Sequence, residues 1–128
     1  MAFQYSVALR DAQLDQIGTQ LGTSPILKIF SGAEPANVAA ADPAGLLCTI
    51  TLPATPFAAA ASGSKAMSGS WSASASATGT AASFRMYTSG AVCHVQGNVT
   101  TDLVLNNTSI TSGQTVSVTA FNVTCGNA

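Results

Sequence analysis

The sequence predicts a mainly β domain: an antiparallel β-sandwich, jelly-roll or immunoglobulin-like, or a partly open barrel, with one short N-terminal helix. Three observations carry this. Beyond Pro25 the apolar residues recur with period two. Gly, Pro, Asn and Ser-Gly pairs punctuate the chain at roughly 8 to 12 residue intervals, the spacing of short sandwich strands. Helical spacing is confined to residues 6–21. The chain's 128 residues fit one domain, with an arm and helix over 1–24 and a β body over 25–128.

The helix reads from Ser6, an N-cap, to Leu21, with Gly22 just past the end and Pro25 beyond. At about 100° per residue, Val7, Leu14, Ile17 and Leu21 share one face with Arg10, whose stem can pack there, while Leu9 lies almost opposite. Gly18 and the short length leave the helix marginal alone, so it must dock. Ile26 to Phe30 reads as a strand, Ser31 to Gly45 as a loop, and Leu46 to Leu52 as a strand alternating Cys48, Ile50, Leu52 against Leu47, Thr49, Thr51. From Ala66 to Ala77 the alternation places Met67, Gly69, Trp71, Ala73 and Ala75 opposite five serines, a strand with one hydroxyl face whose end over 75–80 reads equally as loop. Ala82 to Thr88 sets Ala82, Phe84, Met86 against Ser83, Arg85, Tyr87, and Ser89-Gly90 then turns into Val92 to Val99 as a two-residue hairpin. Leu103–Leu105, Ser109-Ile110 and Thr115–Cys125 complete the strands.

Composition narrows function. Alanine, serine and threonine supply 53 residues, whereas four Lys and Arg and five Asp and Glu are the only formal charges, for a net charge of -1. Six of those nine precede Gly45. Soluble domains give about a quarter of their residues to charge, so this surface is covered by hydroxyls, amides and methyl groups. Nucleic acid is not an expected partner, because phosphates need Lys and Arg. A membrane is not either: the longest nearly apolar run, Ala54 to Ala61, is broken by Pro56 and far short of the ~20 residues of a spanning helix. No basic and apolar leader opens the chain, so folding in the cytoplasm is expected.

Chemistry is thinly supplied. Cys93 and His94 are neighbours on a strand and point to opposite faces, so they do not form a thiolate–imidazole pair. Asp11 and Asp15 share a helix side at i, i+4 and read as a solvated flank. Cys48, Cys93 and Cys125 lack zinc-ligand spacing and read as small buried hydrophobes, with room for one disulfide, within or between chains, in an oxidising medium. The Asn-X-Thr/Ser sequences at Asn98, Asn106, Asn107 and Asn122 suit turns and strand ends. No catalytic residue, metal site or cofactor is expected, and the chain is not expected to be an enzyme.

Several segments in order carry a resemblance. They are Tyr5, Arg10, Leu14-Asp15 and Ile17; Gly22-Thr-Ser-Pro-Ile-Leu-Lys-Ile; Gly32-Ala-Glu-Pro-Ala-Asn; Gly69-Ser-Trp71; Phe84-Arg-Met-Tyr87; Cys93-His-Val-Gln-Gly97; and Leu105-Asn-Asn-Thr-Ser-Ile-Thr-Ser-Gly-Gln-Thr-Val. Across nearly the whole chain this pattern resembles a family of small virion structural proteins of tailed bacteriophages. The resemblance implies synthesis in the host cytoplasm and residence on the capsid surface. The implied role is a cement or decoration protein that binds the major capsid protein and itself, as a homotrimer on threefold sites. A tail or neck accessory protein, or a carbohydrate-binding module on the virion, would suit the same composition. Phe3, Tyr5 and Leu9 are the candidate partner contacts, with core filling as the other reading of Phe3 and Tyr5. For a carbohydrate module, Trp71, Tyr5 and Tyr87 are the available aromatics.

Overall fold

A computed structural model describes residues 4–124. Helix α1 runs Val7–Leu21, and its ends are those the sequence sets: the Ser6 hydroxyl accepts from Leu9 N at 3.1 Å, and Gly22, at φ 78°, donates its N–H to Gly18 O. Ten strands follow, β1 (Ile26–Phe30), β2 (Leu46–Thr51), β3 (Ser64–Ala66), β4 (Ser72–Ser74), β5 (Gly79–Thr80), β6 (Ser83–Tyr87), β7 (Cys93–Asn98), β8 (Leu103–Leu105), β9 (Ser109–Ile110) and β10 (Thr115–Thr124). Among the described residues all paired strands are antiparallel and no closed barrel forms, so the fold is an antiparallel β-sandwich with a short N-terminal helix.

One sheet has the order β2-β1-β6-β7. The other is built along β10, which pairs β4 through Thr115–Ser117, β8 through Val118–Phe121 and β3 through Asn122–Thr124. A two-stranded ribbon, β5-β9, stands apart. Leu27, Ile29, Ile50, Phe84 and Met86 of the first sheet face Val116, Val118, Phe121 and Leu103 of the second in one buried cluster, which Leu21 of α1 joins. Four rings run across it. Phe57 meets Trp71 edge-on at 5.4 Å, Trp71 tilts against Phe121 at 5.7 Å, and Phe121 meets Phe84 edge-on at 5.7 Å.

Four expectations need correction. The 66–77 stretch is not one strand. Gly69 turns at φ 79°, with Met67 N donating to Phe121 O and Ser68 N to Pro56 O, so β3 ends at Ala66 and β4 is only three residues long. The alternation survives from Trp71 onward: Trp71 and Ala75 are buried, while Ser72, Ser74 and Ser76 are exposed. The β6–β7 hairpin exists, but residues 88–92 connect it, with Thr88 N bonded to Val92 O, Ala91 at φ 69° and a register shift beside Tyr87. In β6 all five residues are buried rather than alternate ones, because the strand is central and the 31–45 loop lies over its outer face. Finally, Val7 is 47% exposed although it shares the helix's apolar face; Ala8 and Leu9 are exposed too, so packing starts only at Arg10.

Candidate functional site

Beneath the 31–45 loop sits a polar cluster built on the buried Arg85. Arg85, on the outer face of β6, is 2% exposed and bonds through all three guanidinium nitrogens: NH1 donates to Asp42 Oδ1 at 2.9 Å, NH2 to Asn37 O at 3.0 Å, and Nε and NH2 to Gln96 Oε1 at 3.2 and 3.0 Å. Gln96 in turn donates to Pro35 O, and the Tyr87 hydroxyl donates to Asp42. Lys28 lies over the Tyr87 ring at 4.8 Å from its centre. Every partner on the loop side is a loop carbonyl or Asp42, so the cluster is a pin that holds the loop to the sheet.

The second charged cluster docks α1. Asp15 Oδ1 accepts from the buried Lys65 at 2.7 Å and from Ala60 N at 2.9 Å, and Asp11 Oδ1 accepts from Gly63 N at 2.8 Å. Lys65 completes its berth against Ala58 O and the Phe57 ring. The two aspartates are therefore more than a solvated flank, although the Asp15 side chain stays 47% exposed. They satisfy backbone donors of the 60–63 turn that otherwise face the helix, which is the physical reason for the i, i+4 pair. Asp102 likewise accepts from Asn98 N, capping the end of edge strand β7.

Both carboxylates with cationic partners respond to them. The Lys65 hydrogen bond, then the Ala60 N–H, holds Asp15 below the ordinary carboxylate range. The Tyr87 hydroxyl, working against partial burial and helped by Arg85, does the same for Asp42, while burial and that same bond push Tyr87 up. An unfolded carboxylate takes up its proton near pH 4, whereas these resist until lower pH. In that interval the unfolded state binds more protons, so acid favours it. The melting temperature is therefore expected to hold from pH 7 to about 5 and to fall as pH drops below about 4. Asp15→Asn should flatten that slope; an unchanged slope in this variant would remove Asp15 from the account.

The other singled-out residues are dispersed. Cys48 is buried in the core, its Sγ 3.6 Å from Ser74 O, and Cys93 lies half-buried on the opposite face of the same sheet, beside Arg85. Both are free, and the sheet between them rules out their pairing; burial raises both thiols. Cys125 and Phe3 lie outside the described residues. Tyr5 is half-buried and Leu9 is 46% exposed. His94 is exposed and does not join Cys93 in a pocket. Trp71 and Tyr87 are buried, which withdraws the aromatic platform that a carbohydrate site would need. Among the described residues no three His, Cys, Asp or Glu come together as metal ligands, and no helix is long and apolar enough to cross a membrane.

The Arg85 pin is not foreseen from the sequence. One signal for it was present, since an arginine between Phe84 and Met86 in a central strand needs a carboxylate, and Asp42 is the one that the loop brings to it. No family model, curated protein or solved structure matches the chain.

Proposed function

We propose that this chain is a structural protein of a tailed-bacteriophage virion, a capsid cement or decoration protein that binds and stabilises the major capsid lattice. The observation that supports this best is the use of charge. Lys65 and Arg85 are buried in ion pairs, and Asp11, Asp15, Asp42 and Asp102 accept internal hydrogen bonds. Few charges remain for a partner, and the outer positions of β2, β4 and β10 carry Thr49, Thr51, Ser72, Ser74, Thr115 and Thr119. A surface of hydroxyls and methyl groups suits extended contact with protein. A protein that prefers the assembled shell adds RT ln(1 + [L]/Kd) per site, about 3 kcal/mol at a hundredfold excess over Kd.

Purified protein is expected to co-sediment with expanded shells that lack it and to raise their melting temperature. Because the interface has so few charges, binding should change little between low and moderate salt. Absence of binding at micromolar protein would sink the proposal, and a steep salt slope would show that charged residues carry the contact.

A further inference from the structure

A cleft of about 450 Å³ opens between edge strand β7 and the last residues of β10. Its floor is apolar. Phe84 and Phe121, 1% and 5% exposed, meet edge-on there, flanked by the half-buried Val95 and Val123. Asp102 borders the cleft, with Thr101 and Thr124 beside it, all three exposed. Gly97 is what lets floor and carboxylate come together: a Cβ there would lie 2.8 Å from the Phe84 ring and 2.9 Å from Asp102 Oδ2. Glycine weakens a strand interior, and close approach of another group is a common reason for it.

Asp102 is exposed yet held in place. Its N–H donates to Asn98 O at 3.0 Å and its Oδ2 accepts from Asn98 N at 2.8 Å, which closes the 98–102 turn from both sides and fixes where the carboxylate stands. Among the described residues no cation pairs with it: the ion pairs are Lys65–Asp15 and Arg85–Asp42. The neighbouring amides are committed elsewhere, Gln96 to Arg85 and Pro35, and the Asn122 oxygen to Ser64. The cleft therefore offers one fixed negative charge beside an apolar floor, the complement of an alkyl chain that ends in a cation.

We propose that this cleft receives a lysine side chain of a partner protein, with the ammonium on Asp102 Oδ1 and the methylenes along Phe84, Phe121, Val95 and Val123. Lysine suits it better than arginine. Oδ2 already serves Asn98 N, so the carboxylate presents one oxygen to a point charge rather than the pair that a guanidinium fork takes. The turn is ordered before anything binds, which spares that cost; the incoming lysine still gives up its rotamers, and the ion pair is partly solvated, so a single side chain binds weakly. The site stands or falls apart from the capsid reading.

Amide chemical shifts of the full chain, followed by NMR while N-acetyl-lysine methylamide is added to about 50 mM at constant ionic strength, test it. Saturable shifts are expected at Gly97, Asp102 and Val123, with a Kd in the millimolar range. The norleucine analogue, which has the same stem without the ammonium, should bind at least about tenfold more weakly, the equivalent of about 1.4 kcal/mol. The arginine analogue should also bind more weakly than lysine. Asp102→Asn keeps an oxygen for Asn98 N and removes the charge, so it should weaken lysine binding at least about fivefold. Thr101→Lys, at an exposed position, places the chain's own ammonium beside Asp102 and should abolish binding of added lysine. An unchanged melting temperature checks that each variant folds. Shifts that never saturate, norleucine or arginine bound as tightly as lysine, or unchanged affinity in Asp102→Asn or Thr101→Lys would each overturn the proposal.

Discussion

Replacing Trp71 by alanine is expected to destabilise the fold by about 3–5 kcal/mol, the usual cost of truncating a buried aromatic. Trp71 is 1% exposed and sits in the middle of the ring series that joins the two sheets, between Phe57 and Phe121. Its indole N–H also donates to Ser68 O at 3.1 Å, which fixes the 68–70 turn against the strand that the turn feeds. Alanine would leave both a cavity and an unpaired carbonyl. Against a total stability of about 5–15 kcal/mol, that loss leaves little in reserve at 37 °C. In urea the midpoint should fall by more than about 1 M, given slopes of about 1–3 kcal/mol per molar. Circular dichroism is the appropriate probe, since Trp71 is the only tryptophan. Trp71→Phe, which keeps a ring in place, should lose less than half as much. An alanine variant with a native midpoint would mean that the sheets are joined by the aliphatic contacts alone.

Local rules reached the elements whose ends are set by neighbouring residues. Ser6 and Gly22 bracket α1 because a cap is completed within four residues, and β1 has the bounds its apolar run suggested. Period two failed where the backbone turns without disturbing the side-chain pattern. Met67, Gly69 and Trp71 alternate correctly with the serines, yet Gly69 reverses the chain between them, and alternation contains no information about φ. The partners of the charged residues were hidden for another reason. Asp11 meets Gly63, Asp15 meets Ala60 and Lys65, and Arg85 meets Asp42, over separations of 43 to 52 residues that only the tertiary fold closes.

These long-range pairs give the scarcity of charge a second meaning. The cations most deeply buried, Lys65 and Arg85, each tie an irregular segment to the β body, α1 in one case and the 31–45 loop in the other. A charge placed there is specific as well as costly, because its several hydrogen bonds must be met together by one arrangement of the chain. The surface is left to serines, threonines and alanines as a result of where the charges are needed.

The loop pin yields the second large effect. Asp42→Ala removes the counter-ion of a guanidinium that is 2% exposed and leaves Tyr87 without its acceptor. Breaking a fully buried pair from one side costs about 3–5 kcal/mol; here the Asp42 side chain is 45% exposed, so water recovers part of the loss and about 2–3 kcal/mol is expected. The informative comparison is with Arg85. A methionine there fills similar space without a charge, so the double variant Asp42→Ala/Arg85→Met should be more stable than Asp42→Ala alone, an ordering opposite to that of two independent losses. Both variants free the loop from Asn37 to Asp42, and amide exchange should rise there while β1 and β6 remain protected. If the double variant instead loses the sum of the single effects, Arg85 stabilises by packing alone, and the loop must be held by Ser31, Gly32 and their backbone bonds to Gly45 and Ala44.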